Sequence, residues 1–464
     1  TASNNTAVGY QAGYSNTTGL VSAFGSSVLK NNSTGSYNTG LGGRGSDNYS
    51  TLNENTTGSY NVAVGHGSLA RNTTASNNTA VGYQSSYFNT TGTNNATIGS
   101  SAGKNNTTGQ HNTSIGQSAG RATNSGSYNV AVGSDALRTN TTASNNTAVG
   151  YNALYSNTTG SENAGLSNAA LQLNTTGNNN SAAGRGALNV NTTGSNNSAF
   201  GHLALSANTT ASNNTAVGYQ SLYFSTGGHN TAVGYQAGTN ITTGSYNMAL
   251  GRRAGLSLTT STNNTIVGAN DAGLYMTTGS KNTILGGYNG NQGGLDIRTS
   301  SNNIVLSDGD GNPRVIVDSS GNVLVGNTSF DHGSTGGLIA ANGRVYSTVD
   351  GNFCFTANRL SSDGEIMRIQ RSGTTVGSIG NSGSYMFLAS QGPSARGVKI
   401  TDNFIPATTS GANNDNVMDL GGASVRWDDV YATNGTIQTS DRNEKQDIEA
   451  LNDAETAVAV ACKG

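Results

Sequence analysis

Hydrolysis of a glycosidic bond needs two carboxyl groups at a set separation, one to protonate the leaving oxygen and one to attack or to activate water. The first 294 residues carry five acids, Asp47, Glu54, Asp135, Glu162 and Asp271, of which only Asp47 and Glu54 fall close together. That spacing argues against a glycan depolymerase and leaves the stretch around Asp47 and Glu54 as its one foothold. Exposed tyrosines hold sugars by a different chemistry, stacking on their C–H faces. Tyr10, Tyr83, Tyr151, Tyr219 and Tyr235 each follow a glycine and are the candidate glycan-binding residues. The five histidines lack metal-ligand spacing. Asp308-x-Asp310-x-Asn312 starts like a calcium loop, but Pro313 stands where that loop needs glycine and Ser319 where it needs its last acid. No phosphate-cradling loop and no acyl-transfer triad is evident, so neither a metal nor a cofactor is expected.

A repeat places these tyrosines. A glycine preceded by Val, Ile, Leu, Phe or Ala returns from Gly9 to Gly286, and 12 of the 16 intervals between anchors are 17 residues long, with Ser167 filling the one missing slot. A fixed short period is the signature of a solenoid, one small unit stacked many times. Around each anchor the residues run like Asn78-Thr79-Ala80-Val81-Gly82, a short strand with Thr and Val on one face and Ala and Gly on the other. Four residues before the anchor sits an Asn in 16 of 17 copies, Asn78, Asn95, Asn112, Asn129 and Asn146 among them. Stacked at strand spacing, these predict a ladder of amides, and Gly82, Gly99 and Gly116 predict close backbone approach. The linking Asn-Thr-Thr-Gly, as in Asn89 to Gly92, is turn chemistry. The decapeptide beginning at Thr1, Thr74, Thr142 and Thr210 recurs in its last two steps at 68 residues, four repeats, so the array grew by duplicating blocks. The expected fold is all-β, a parallel β-solenoid of about 17 rungs with no helix.

With 464 residues, 33% hydrophobic, 10% charged, 66 Gly and 3 Pro, the chain is not an ordinary globular enzyme. Each rung offers one large aliphatic residue, joined in many by a Leu four after the glycine, such as Leu69, Leu137 and Leu154. At about 25 cal/mol per Å² of buried apolar area, these barely offset the ordering of a rung at about 1 kcal/mol or more per residue. Several chains packed along a shared axis through the Ala/Gly face would add the missing burial, most simply as a homotrimer. A net charge of −2, with neither half strongly basic, predicts no nucleic-acid partner, and no apolar run is long enough to predict membrane insertion. Cys354 and Cys462 are too few and too far apart for a disulfide framework.

Past Gly294 the pattern changes to hairpin grammar, Asn303 to Gly311, then Val315-Ile316-Val317 and Val323-Leu324-Val325 separated by Asp-Gly and Gly-Asn turns. The expected organisation is a solenoid shaft over 1–294, a β-rich neck over 295–439 and a terminal piece over 440–464. Asp428-Asp429-Val430-Tyr431-Ala432-Thr433-Asn434-Gly435 followed by Thr439-Ser440-Asp441-Arg442-Asn443-Glu444-Lys445 resembles the junction between a phage tail fibre and its endosialidase-type intramolecular chaperone. That resemblance implies that 440–464 begins a chaperone that cuts itself off after trimerisation, with Ser440 as nucleophile and Lys445 assisting it; a serine hydroxyl needs such a neighbouring base. Only 24 residues follow Ser440, so self-cleavage is not expected of this stretch alone.

The repeats themselves resemble the β-roll heads of trimeric autotransporter adhesins, which share the apolar-Gly rhythm and the Asn/Thr turns. This resemblance implies a three-chain roll. The chaperone junction favours a virion tail fibre that attaches to a host glycan or receptor and joins other tail proteins; a bacterial cell-surface adhesin is the alternative. The Thr-Thr pairs also suggest an ice-binding array, but their position between Asn and Gly assigns them to turns.

Overall fold

The computed structural model describes residues 3–45, 49–330, 335–350, 354–360, 362–391, 396–401 and 404–414. The chain forms two compact units, Thr1–Cys354 and Phe355–Gly464. Among the described residues every regular element is a β-strand.

In the first unit eighteen short strands, from Thr6–Val8 to Ile304–Ser307, stack in parallel, each on its successor in the repeat. The register is strict. Thr147, Ala148 and Val149 stand opposite Ala164, Gly165 and Leu166, and the same three positions meet at the next step. The parallel stack runs past Gly294, because Ile304–Ser307 pairs in parallel with Thr283–Leu285. On its other edge Ile304–Ser307 pairs antiparallel with Pro313–Val317, and the sheet continues as a meander through Val323–Val325, Gly336–Ile339 and Val345–Thr348.

Each turn closes on itself because its interior is narrow. The middle residue of the strand points inward and is small: Ala148, Ala199 and Ala216 are fully buried, as are Leu154, Leu188 and Leu205 on the opposite wall. At Gly165, which takes the Ala position, an added Cβ would lie 3.3 Å from Leu154 Cγ. The Ala/Gly face expected to pack against sister chains is therefore the lining of each turn's own core, and the Thr/Val face is the one left outside. Girth is the physical reason: a loop this short has room inside for one Leu and little else.

This Ala and Leu core is continuous from Ala119 to Val305, with a second segment from Val21 to Ala80. Between them the Leu position is taken by Ser86, Gly103 and Gly120, and the Ala position by Thr97 and Ser114. There the interior turns polar around a cavity of about 10 Å³, lined by Asn95, Thr97, Ser114 and Thr123 among others.

Backbone conformation explains the anchor glycines. Gly82 has φ +134°, and a Cβ there would fall 2.5 Å from the carbonyl oxygen of Gly99 in the next turn. Ser167 adopts the same region at φ +130° despite its side chain. Elsewhere in the turn Asn145, Asn152 and Leu154 take left-handed φ of 61°, 55° and 50° to bend the chain back.

The described residues of the second unit form a five-stranded antiparallel sheet, Gly364–Arg371, Thr374–Ser382, Tyr385–Ser390, Gly397–Ile400 and Phe404–Ala407 in sequential order. Phe387 is its fully buried centre.

Candidate functional site

Polar side chains reinforce the backbone bonds that hold turn to turn. Asn95 N–H donates to Asn78 Oδ1 at 3.0 Å, Asn112 to Asn95 at 2.9 Å, Asn129 to Asn112 at 2.9 Å and Asn146 to Asn129 at 3.0 Å. A second amide column, which sequence reasoning missed, runs along the Asn of Asn-Thr-Thr-Gly. Asn89 Nδ2 donates to Asn72 Oδ1 at 2.9 Å and to its own turn's Gly92 carbonyl at 3.0 Å, and Asn174 and Asn191 repeat the arrangement. Its signal was the invariant distance from the glycine, masked by the plain reading of these residues as a turn. The first threonine of most pairs is engaged too: Thr90 Oγ1 donates to the Thr107 carbonyl at 2.9 Å, and Thr175 Oγ1 to that of Thr192 at 3.0 Å. The second, Thr57 or Thr91, is exposed.

With the core and ladders turned inward, the outward face of the sheet carries the residue just before each anchor. Ile98, Ile115, Val149, Leu166, Phe200 and Val217 are 37–45% exposed and stand in one column. The column crosses onto the antiparallel meander, where Leu306, Val325, Ile339 and Val345 continue the exposed apolar face. Half-buried Thr79, Thr113 and Thr147 flank it.

The candidate tyrosines lie in a different column, one residue past the anchor. Tyr10 and Tyr151 are exposed there, and Tyr83 tilts against His66 with centroids 5.5 Å apart. Tyr219 is stacked between His202 at 5.6 Å and Tyr235 at 5.2 Å, so both of its faces are covered by rings and its edge faces water. A parallel aromatic column lies five residues before the anchor, where Tyr37 stacks on Tyr60 at 5.0 Å, His111 on Tyr128 at 4.9 Å and His229 on Tyr246 at 4.7 Å. These spacings are close to the ~4.8 Å strand separation, as in-register stacking requires. Sequence reasoning noted Tyr83 and Tyr219 but not His66 and His202, paired with them one repeat earlier.

The acids do not converge. Asp135 lies 3.5 Å from Arg138, Asp271 bonds Arg253 at 3.2 Å, and Glu162 is exposed. Asp47, Ser440, Lys445 and Cys462 lie outside the described residues, so the arrangements inferred around them have no geometry here. Asp308 caps a hairpin turn: its carboxylate accepts from the amide N–H groups of Asp310 at 3.1 Å and Asn312 at 2.8 Å, and from Arg314. The Asn312 N–H, aided by Arg314 and the Asn312 side chain, holds this carboxyl down at about 2. Asp318 makes the same turn with Ser320 and Asn322, both N–H groups 2.9 Å away. Among the described residues no group of three or more His, Cys, Asp or Glu is placed to hold a metal ion. No protein family, curated protein or solved structure matches this chain.

Proposed function

We propose that this chain is the shaft and neck of a homotrimeric virion fibre, a phage tail fibre that attaches its particle to a host cell. The outward apolar column, running along the sheet from Val8 to Val345, is the observation that carries this reading. Contiguous exposed apolar surface of this extent marks an interaction site. A face that offers an apolar side chain in every turn suits a second and third copy of itself, because sister chains in the same register set each of these residues level with its own copies along a common axis. Burying the column then adds stabilisation at about 25 cal/mol per Å² in every turn, where one chain's interior is mostly Ala and Leu. The antiparallel strands beyond Ser307 serve as the β-rich neck, and the remaining sides, Tyr10, Tyr83, Tyr151 and Tyr235 included, face the medium and the host glycan or receptor. Where a complete chaperone follows, Ser440 and Lys445 take the nucleophile and assisting roles in its one-time release.

Sedimentation equilibrium tests the central element. The expected species has three times the mass of the chain, and the double substitution Val149→Asp with Phe200→Asp, three turns apart on the outward column, should dissociate or aggregate it. A wild-type chain that sediments as a stably folded monomer overturns the reading.

A further inference from the structure

The period breaks between the last two parallel strands. Asn303 bonds Asn282 in the ladder across 21 residues, where most neighbouring rungs are 17 apart. The added residues form a small hairpin, Asn291–Gln292 against Leu295–Asp296, turned through Gly293 and Gly294. Its base is pinned. Tyr288 is fully buried, and its hydroxyl donates to the Leu295 carbonyl at 2.9 Å. Burial pushes that phenol well above the usual range, so it stays a donor. Ile297, also buried, donates its N–H to the Gly290 carbonyl at 2.9 Å.

Against the preceding turns the hairpin closes a cleft of about 330 Å³ lined by Ser257, Tyr275, Thr277, Asp296, Arg298 and Thr299. Small-molecule sites begin at about this size, ~300 Å³. Tyr275 offers a half-exposed ring. Arg298 grips Asp296 in a fork, Nε to Oδ1 at 3.0 Å and Nη2 to Oδ2 at 2.8 Å, and the two side chains remain about half exposed, at 47% and 49% respectively.

We propose that this cleft binds a neutral pyranose. The aromatic ring packs against the sugar's C–H face, the Asp296 carboxylate accepts from adjacent hydroxyls, and Arg298 donates through the nitrogen its fork leaves free. Ser257, Thr277 and Thr299 add hydroxyls. Because the two charges compensate one another, the cleft carries no net field to select a uronic or sialic acid. Ser257 and Tyr275 lie six and seven residues past their anchors Gly251 and Gly268, off the outward sheet column, so association through that column leaves the cleft open. This proposal rests on the attachment reading and gives it a defined contact.

Saturation-transfer NMR on the full chain tests it, with the methyl glycosides of glucose, galactose and mannose, N-acetylglucosamine, and glucuronate as the anionic comparison. At least one neutral sugar should bind with a Kd of millimolar order. Tyr275→Ala and Asp296→Ala should each weaken it at least tenfold. Exchange protection of the Ile297 amide reports whether the hairpin persists; if Asp296→Ala loosens it, Tyr275→Ala decides. The proposal is overturned if none of the neutral sugars binds at tens of millimolar, if glucuronate binds tenfold tighter than all of them, or if Tyr275→Ala binds as wild type. A preparation that sediments as a trimer yet shows no sugar signal removes the cleft and leaves the shaft; a monomer that binds sugar does the reverse.

Discussion

Two asparagines that look alike in sequence should differ sharply in what their loss costs. Asn180 and Asn191 are both fully buried. Asn180 Nδ2 donates to Asn163 Oδ1 at 3.2 Å and to the Gly194 carbonyl at 2.8 Å, and its Oδ1 accepts from both the backbone N–H of Asn197 at 3.0 Å and that residue's Nδ2 at 3.1 Å. Asn191 Nδ2 donates to Asn174 Oδ1 at 2.8 Å and to the same Gly194 carbonyl at 2.9 Å, while its Oδ1 accepts only from the Asn208 side chain at 2.8 Å. Asn180→Ala therefore strands a buried backbone N–H, that of Asn197. Asn191→Ala strands no N–H: Gly194 keeps Asn180 as donor, and the atom left bare is an acceptor, Asn174 Oδ1, a cheaper loss than an orphaned N–H. An orphaned buried donor costs about 1–3 kcal/mol beyond the lost bonds themselves, each worth about 1 kcal/mol. The expected destabilisation is about 5–7 kcal/mol for Asn180→Ala, four bonds and the orphan, and about 3–4 kcal/mol for Asn191→Ala, three bonds and a bare acceptor. Because a stacked array opens locally, amide hydrogen exchange is the sharper assay. The Asn197 amide should exchange roughly 5- to 150-fold faster in Asn180→Ala than in Asn191→Ala, the factor that 1–3 kcal/mol implies. Equal costs for the two substitutions, or an Asn197 amide as protected as before, would refute the assignment of unequal duties to the two columns.

Two other perturbations have signs that follow from local geometry. Ser167 holds φ +130°, where the other anchors are glycine; relief of strain of about 1–3 kcal/mol, less the ~0.7 kcal/mol that glycine costs through the unfolded chain, makes Ser167→Gly a gain of about 1 kcal/mol. A lower melting temperature for that variant would contradict the strain. The Asp308 turn should respond to acid late: its carboxyl is depressed to about 2 in the fold against an ordinary 3.8, so its stabilisation is whole above pH 4 and fades as pH falls through about 2. The Asn312 amide resonance, followed by NMR, should titrate near that lower value; a midpoint near 4 would mean the carboxylate is unengaged.

The solenoid was legible because its signal is redundant. Glycine recurring at one distance, a strand of alternating faces and no helical periodicity all point to stacked parallel strands, and Asn78 through Asn146 mark their register. What was not legible is which face turns inward. Alternation pairs Ala with Gly and Thr with Val but is symmetric under inversion, and only closure of the turn onto Leu154 and its equivalents decides it. The same holds for Asn72, Asn89 and Asn174, whose turn-closing bond to a glycine carbonyl is visible in Asn-Thr-Thr-Gly, whereas the bond to the next copy exists only once the turns are stacked. Tyr219 looked like a sugar platform; the ring of His202, one repeat away in sequence, occupies the face such a platform would offer.

The polar stretch between the two apolar core segments bears on how this molecule carries a load. Where Leu gives way to Ser86, Gly103 and Gly120, successive turns share hydroxyl bonds around a polar pocket of about 10 Å³ in place of interlocked aliphatic chains. Backbone bonds and the Asn ladder continue through this stretch, so what it lacks under tension along the stack is the aliphatic packing of the lengths on either side. The column should yield first at that fixed station, acting as a built-in shock absorber between two stiffer lengths.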